Sequence, residues 1–191
     1  MPDLNIYEVI GTVFGLAGVW LATRQNVWTW PVGLVSIAAY VVFFFQIKLY
    51  ADMGLQVFFA GASLYGWYEW LHGGKNKTEL PVTKLSIKNR ILAILTGVLF
   101  TFILGFYFQN FTDASYPVLD SGLAAFSLVG QFLLTRKKIE NWVLWFVVDL
   151  VYVWLYLQKE AYLTAFLYFV FLGLAIQGFL AWRREFKAEP A

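Results

Sequence analysis

Cysteine is absent from this sequence of 191 residues, and histidine occurs once. The lack of cysteine excludes disulfides and thiolate metal sites. The single histidine, His72, stands beside a Gly-Gly pair outside the apolar runs, which argues against a histidine-based metal site. Only 14% of the residues are charged and the net charge is +2, so nothing suggests a nucleic-acid partner. We therefore expect no metal, no cofactor and no nucleic acid.

Catalytic signatures are missing as well. The sequence has no nucleophile elbow, no HExxH pair, no GxxxxGK[ST] phosphate loop and no glycine-rich dinucleotide fingerprint. The chain is also too short to add an ATPase domain to its apolar runs. The sequence therefore predicts a protein that is not an enzyme.

Apolar residues are what the chain has in excess. They make up 60% of the sequence, and the mean hydropathy is +0.64, which indicates that lipid is the solvent. Because a spanning helix needs about 20 mostly apolar residues, seven runs qualify. They cover residues 6–23, 27–46, 53–71, 90–109, 118–135, 141–158 and 162–182. We predict an all-α integral membrane protein with seven transmembrane helices, the first of which is a retained span because the N-terminus lacks signal-peptide features.

The basic residues separate by side when the chain crosses seven times. Of the 14 Lys and Arg, 12 fall on one side: Arg24, Lys75, Lys77, Lys84, Lys88, Arg90, Arg136, Lys137, Lys138, Arg183, Arg184 and Lys187. The other side holds Lys48 and Lys159. Since positive loops stay cytoplasmic, we predict that the N-terminus lies outside and the C-terminus inside the cytoplasm.

An internal repeat becomes visible when the sequence is shifted by 112 residues. Between Gly11 and Trp70, 17 of 60 positions match without gaps. The matches include Thr23-Arg24 with Thr135-Arg136, Trp30 with Trp142, Tyr40 with Tyr152, Gly66 with Gly178 and Trp70 with Trp182. Matches of Thr-Arg and of aromatic residues in register exceed what two unrelated apolar sequences would share, so we infer a duplication.

The span at 90–109 decides how the two repeats are oriented. A three-span unit repeated directly would come out inverted, and one intervening span restores its direction. We predict two parallel three-helix repeats joined by a linker helix, an arrangement known from transporters with a central site. A duplicated structural membrane protein or receptor is the alternative. The predicted parts are the first repeat (1–71), a cytoplasmic loop (72–89), the linker (90–109), an outer loop (110–117), the second repeat (118–184) and a cytoplasmic tail (185–191).

The sixth span carries the strongest candidate site. Where the first repeat has Gly33 and Ile37, the second has Trp145 and Asp149. Spacings of three and four residues place Trp142, Trp145, Asp149 and Tyr152 on one helical face. An acid near the middle of a span marks by default a substrate or ion path, and two indoles beside it suit a flat cationic ring. Alternatively, Asp149 bonds a neighbouring hydroxyl and the tryptophans pack in the bundle or anchor at the interface.

Five further residues complete the predicted substrate site. Gln56, Gln131 and Gln177 can hydrogen-bond a polar ligand, although bonding between helices explains them equally well. Tyr40 is the counterpart of Tyr152, and Trp67 belongs to an aromatic segment that an interfacial belt also explains. We expect a small cationic vitamin or nucleoside as the substrate, and lipid around the protein.

Several motifs together resemble the PnuC family of vitamin transporters. They are Tyr65-Gly66-Trp67-Tyr68-Glu69-Trp70, the segment from Phe45 to Ala51, Leu134-Thr135-Arg136-Lys137, and the segment from Glu140 to Asp149. The resemblance covers nearly the whole chain. It implies three plus one plus three helices, a relation to SWEET transporters, a bacterial inner-membrane location and a homotrimer.

The same resemblance implies a function. Members of the family facilitate diffusion of vitamin precursors that are then trapped by phosphorylation; the best known take nicotinamide riboside, and relatives take thiamine or riboflavin. The family's substrate motif corresponds to Trp142, Trp145 and Asp149. Some nicotinamide riboside carriers have Asn where this chain has Asp149. The carboxylate of Asp149 favours a cationic substrate and leaves open whether transport is coupled to protons.

Overall fold

A computed structural model of the chain describes residues 5–46, 50–111, 117–158 and 162–188. Within these ranges there are seven α-helices: α1 (Ile6–Thr23), α2 (Thr29–Gln46), α3 (Tyr50–His72), α4 (Ile87–Phe111), α5 (Pro117–Thr135), α6 (Glu140–Gln158) and α7 (Tyr162–Ala188). A short 3-10 turn at Lys75–Lys77 precedes α4. The all-helical prediction is confirmed, and each helix corresponds to one predicted apolar run, although α2 begins two residues later than predicted. Helices form here because a helix satisfies its own backbone groups in lipid.

Six of these seven helices are long and apolar enough to cross a membrane. The helix that falls short is α3, which carries Glu69, His72 and a run of amphipathic Tyr and Trp side chains near its end. A helix does form where the third span is predicted, so the position of the element is right. The count of seven crossings stays a prediction.

The last helix is longer than the predicted span. It continues past the apolar run to Ala188, and its final turns expose Arg183, Arg184 and Lys187. The predicted tail therefore begins as helix. The two basic residues assigned to the opposite side, Lys48 and Lys159, lie outside the described residues, as does most of the predicted outer loop.

The chain divides into two compact units, Met1–Pro81 with Leu180–Ala191, and Val82–Phe179. In the first unit, tryptophans build the interior. Trp30 meets Trp70 edge to face at 5.1 Å between ring centroids, and Trp70 meets Trp182 at 5.8 Å. The indole N–H of Trp182, which is fully buried, donates to the Ala22 carbonyl at 3.0 Å. Trp70 and Trp182 are equivalent positions of the repeat, so here a residue contacts its own counterpart.

In the second unit, α4, the helix predicted to be the linker, packs on α5. Gly97 leaves room for the ring of Phe126, because a β-carbon at position 97 would come within 2.6 Å of that ring. The core between α5 and α6 contains Leu123, Val148 and Leu155. These contacts explain why α4 clusters with the elements that follow it rather than with those before it.

The turns after α1 and after α5 have the same geometry. Gln25 and Lys137, 112 residues apart, both adopt a left-handed conformation, with φ of 54° and 44°. In each turn the next residue donates its N–H back to a helix carbonyl, Asn26 to Leu21 at 3.1 Å and Lys138 to Leu133 at 2.9 Å. This is how a Schellman-type helix end satisfies its last carbonyls. The repeat seen in the sequence is therefore matched by local structure at both turns.

Candidate functional site

The beginning of α6 is anchored by Glu140. Its carboxylate accepts the backbone N–H of Leu85 at 3.1 and 3.2 Å and forms an ion pair with Arg90 at 2.9 Å. An acid in the first turn also lies at the favourable end of the helix dipole. The helix that carries the candidate site is thus tied to the segment leading into α4.

A second set of contacts joins the same two segments. Thr83 donates its N–H to the Lys137 carbonyl at 3.0 Å, and its own carbonyl accepts the Ile139 N–H at 3.0 Å. The Lys138 ammonium reaches the Thr83 hydroxyl at 2.7 Å. We refer to Thr83, Leu85, Arg90, Lys138 and Glu140 as the clasp.

The charge of Lys138 is disfavoured in the clasp. Burial lowers the pKa of Lys138, Arg136 lowers it further, and Glu140 acts in the opposite direction. The sequence motif around Glu140 was visible as a family signature, but its partners 50 and 55 residues away carry no signal in the sequence.

Asn141 and Trp142 are buried at the base of α6. The Asn141 side chain donates to the Lys138 carbonyl at 2.6 Å. The Trp142 ring is 2% exposed and lies on Gly178, where a β-carbon would come within 2.5 Å of it. Trp30 lies on Gly66 in the same way. The equivalence indicates that Trp142 occupies a packing position shared by both repeats, whatever else it contacts.

Trp145 lies one turn further along α6 and is half-buried. Its indole is 3.3 Å from where a β-carbon of Gly130 would be. At the equivalent place in the first repeat, Gly18 faces Gly33, and a β-carbon at position 18 would be only 3.6 Å from the Gly33 backbone. A large aromatic surface therefore occurs between α5 and α6 where α1 and α2 bring their backbones together.

Asp149 lies at the midpoint of α6 and is 6% exposed. Among the residues that the structure describes, its carboxylate has no hydrogen-bond or ion-pair partner. A carboxyl group removed from water without a partner costs several kcal/mol, on the order of 2–3 kcal/mol even on lenient membrane scales. Such a group costs stability, and a role for Asp149 in contacting a substrate or an ion stays a prediction.

Tyr152 follows Asp149 by one turn and stacks on α7. Its ring centroid is 4.4 Å from that of Tyr168 and 6.0 Å from that of Tyr156. Tyr156 and Tyr168 were not among the predicted site residues. The signal that could have found them is the comparison of the repeats, since Tyr168 stands where the first repeat has Gln56.

The predicted glutamines differ in their surroundings. Gln131 on α5 is half-buried, directly after Gly130, whereas Gln177 on α7 is exposed. Because Gln177 is exposed, its amide is a polar group on the surface of a predicted span. Their contact with a substrate stays a prediction.

The remaining predicted residues belong to the first unit. The Tyr40 hydroxyl is 2.9 Å from the Thr12 hydroxyl, and its ring covers Gly11 so closely that a β-carbon there would be at 2.8 Å. Gln56 and Trp67 are half-buried. Tyr40 is therefore held by its own helix pair, and a role in binding stays a prediction.

The described ranges offer no cluster of three or more His, Asp or Glu that could hold a metal ion. A cavity of about 670 Å³ lies between α5 and α6, lined by apolar side chains that include Leu119, Phe126, Val143 and Val147. Val143 and Val147 project from a different side of α6 than Trp145 and Asp149. Leu123 and Val148, which also line the cavity, pack against Trp145 and Tyr152.

Six apolar helices of spanning length make this chain a multi-pass membrane protein. A model of the nicotinamide mononucleotide transporter family matches residues 5–184. The chain is 29% identical to the nicotinamide riboside transporter PnuC of Escherichia coli K12, over 94% of this chain and 86% of that protein. It is 27% identical to the riboflavin/roseoflavin transporter RibM of Streptomyces davaonensis, over 92% and 83%.

The fold has a counterpart among crystal structures. The crystal structure of the vitamin B3 transporter PnuC superimposes with a TM-score of 0.77 at 21% identity, over 96% of this chain and 83% of that one. The chain belongs to the nicotinamide mononucleotide transporter family, which is the PnuC family, and is a transporter rather than an enzyme. The resemblance predicted from the motifs is confirmed, while the relation to SWEET transporters stays a prediction.

Proposed function

We propose that this protein carries nicotinamide riboside into the cytoplasm by facilitated diffusion. The observation that carries the proposal is Asp149, a buried carboxylate at the midpoint of a spanning helix with no partner among the described residues. A pyridinium ring supplies the missing positive charge, and the indole of Trp145 one turn away supplies a stacking face. Similarity to transporters named for this riboside supports the same substrate.

The charge of Asp149 also favours the riboside over the mononucleotide that gives the family its name. A phosphate group would place a second negative charge beside Asp149, at a buried position where a negative charge is already costly. In the sequence, no Lys or Arg lies inside an apolar run near the depth of Asp149 to offset it. A phosphorylated substrate would therefore need a counter-charge that the neighbourhood of Asp149 does not supply.

Two other vitamins, thiamine and riboflavin, are the alternative substrates. Thiamine also carries a flat cationic ring, its thiazolium, which would suit Trp145 and Asp149 almost as well. Riboflavin is favoured by the similarity to RibM, but its ring carries no positive charge to balance the acid. The order of preference is therefore nicotinamide riboside, then thiamine, then riboflavin.

The transport cycle follows from the predicted duplication. In this proposal α3 also crosses the membrane, and the two three-helix repeats are parallel. The repeats rock against each other, so that Asp149 is accessible from one side of the membrane at a time. The distribution of basic residues supports an outer N-terminus in a cytoplasmic membrane. A carrier without coupling can only equalise concentrations, so phosphorylation inside the cell gives the flux its direction.

A proton-coupled cycle is a second candidate, because Asp149 is an ionisable group inside the membrane. It predicts that uptake into proteoliposomes depends on a pH gradient. Uptake that is the same with and without the gradient supports facilitated diffusion. Counterflow of unchanged radiolabelled riboside in the same liposomes would exclude a receptor.

The test of the proposed substrate is calorimetric titration of the detergent-purified protein with nicotinamide riboside, nicotinamide mononucleotide, thiamine and riboflavin. We expect binding of the riboside and none of the mononucleotide. Asp149→Asn should weaken riboside binding about fivefold, roughly 1 kcal/mol, because the amide keeps the shape and loses the charge. Preference of the wild type for the mononucleotide would contradict the proposal.

A further inference from the structure

Three tyrosine rings stack between Asp149 and the end of α6. Tyr152, Tyr156 and Tyr168 lie with centroids 4.4 to 6.0 Å apart and with planes within 17° to 27° of each other. Phe171 meets Tyr168 edge to face at 5.9 Å. All three tyrosines are half-buried, so part of each ring remains accessible. We call these three residues the tyrosine stack.

The third ring of the stack is specific to the second repeat. Tyr40 stacks on Phe44 at 5.7 Å as Tyr152 does on Tyr156, whereas Tyr168 takes the place of Gln56. In the first repeat, Tyr40 is fixed by the Thr12 hydroxyl and covers Gly11. The equivalents of Thr12 and Gly11 in the second repeat are Ala124 and Leu123, which provide neither the hydroxyl nor the space. The second repeat therefore lacks the contact that fixes Tyr40 and adds the ring of Tyr168 to the stacked pair.

Position along the helices connects the stack to the candidate site. Tyr152 is one turn from Asp149, and Tyr156 lies two residues before Gln158, the last residue of α6. Tyr168 lies six residues into α7, roughly 9 Å along that helix. The rings therefore cover the distance from the buried acid to the end of the helix pair.

We propose that the tyrosine stack is a transient binding site for the flat cationic ring of the substrate on its way between the outer surface and Asp149. Parallel aromatic faces attract a cation and offer an offset stacking surface at each step. The rings thus replace part of the hydration that the cation loses as it enters the membrane. This inference rests on the proposed function and on the proposed orientation, in which α6 ends at the outer side.

A transient site has a kinetic signature that differs from that of the final site. It lowers the barrier in both directions, so its loss slows association and dissociation by the same factor and leaves Kd unchanged. A residue that contacts the substrate only in the final bound state changes Kd. The two roles can therefore be separated in one experiment.

The experiment is stopped-flow measurement of nicotinamide riboside binding to the full chain in outward-oriented proteoliposomes, followed by quenching of tryptophan fluorescence. Tyr168→Gln places in the stack the residue of the first repeat, and Tyr168→Phe keeps the ring and removes the hydroxyl. Tyr162→Gln is the matched control, since Tyr162 is exposed on the same helix and outside the stack.

We expect Tyr168→Gln to lower both rate constants about three- to tenfold, with Kd within twofold of the wild type. Tyr168→Phe and Tyr162→Gln should keep wild-type rates. Unchanged rates in Tyr168→Gln, or a higher Kd from faster dissociation alone, would overturn the inference and leave the proposed function intact. Absence of riboside binding by the wild type would overturn both.

Discussion

The ring of Trp142 lies on Gly178 so closely that a β-carbon at position 178 would come within 2.5 Å of it. The ring is 2% exposed and cannot move aside without opening the base of α6. We expect Gly178→Ala to lower the stability by about 1–3 kcal/mol, as overpacking does in other tightly packed cores. The apparent midpoint of thermal unfolding in detergent is the measurement.

The control for this variant is Gly173→Ala. A β-carbon at position 173, on the same helix, would have no neighbouring atom within 4 Å, so its midpoint should stay at or slightly above that of the wild type. Equal midpoints for the two variants would show that the indole can shift without loss.

Trp145 should dominate the affinity for the substrate. Removal of a half-buried indole that stacks on the ligand costs roughly 2 kcal/mol or more, so Trp145→Ala should raise Kd for nicotinamide riboside about 30-fold. Trp154→Ala is matched to it, because Trp154 is on the same helix but 54% exposed. Calorimetry of both variants decides: similar affinities would remove Trp145 from the site.

Glu140 should contribute more to stability than its ion pair does. Arg90 is half-exposed, so solvent screens the pair, whereas the Leu85 N–H loses its only acceptor in the clasp when the carboxylate is removed. We expect Glu140→Ala to cost about 1–3 kcal/mol, Glu140→Gln less, and Arg90→Ala least.

The thermal midpoints of these three variants give the order directly. Glu79→Gln, at an exposed position in the same loop, should have no effect. If Arg90→Ala proved as harmful as Glu140→Ala, the ion pair rather than the backbone hydrogen bond would be the main contribution of the clasp.

Lys138 should make the stability increase in alkaline solution. Its pKa is lowered in the folded protein by burial, so between that lowered value and the ordinary 10.5 the unfolded chain binds more protons. A rise in pH through this range therefore favours the folded state. Relative to the midpoint of Lys138→Met, the thermal midpoint of the wild type should rise from pH 7.5 toward pH 10. A constant difference between the two midpoints would show that the ammonium is as well solvated in the folded protein as in the unfolded chain.

The orientation can be tested because the chain has no cysteine of its own. Asn76→Cys lies in the exposed loop before α4, and Asn110→Cys is exposed near the end of α4. With an outer N-terminus and a crossing by α3, a membrane-impermeant maleimide should label Asn110→Cys on intact cells and Asn76→Cys only after permeabilisation. Labelling of Asn76→Cys on intact cells would contradict the proposed topology, because either the orientation is inverted or α3 does not cross.

The sequence was most informative where the bilayer sets the rule. Apolar length predicts a helix because lipid leaves the backbone no other partner, and α1 begins and ends at the predicted residues. The helix α3 was harder to classify as a span because Tyr and Trp contribute amphipathic rings. The repeat could be predicted because Thr23-Arg24 and Thr135-Arg136 match in register, and the turns that follow them share one geometry.

Side-chain contacts between distant segments could not be predicted in the same way. Nothing near Glu140 in the sequence indicates Leu85, and only the fold brings Thr83 beside Lys138. Asp149 stood out because an acid in an apolar run is conspicuous by itself. Tyr168 did not, because one more aromatic residue in a span is ordinary until its ring is seen in the stack.

The contact between Trp70 and Trp182 bears on how the two repeats can change. In an isologous dimer, a residue on the axis meets its own copy, so one substitution in a single three-helix unit would alter both sides of such a contact at once. In the duplicated chain each ring can be replaced alone. The Trp70 side can then be varied while Trp182 keeps its hydrogen bond to Ala22, which allows the pair to lose its symmetry one ring at a time.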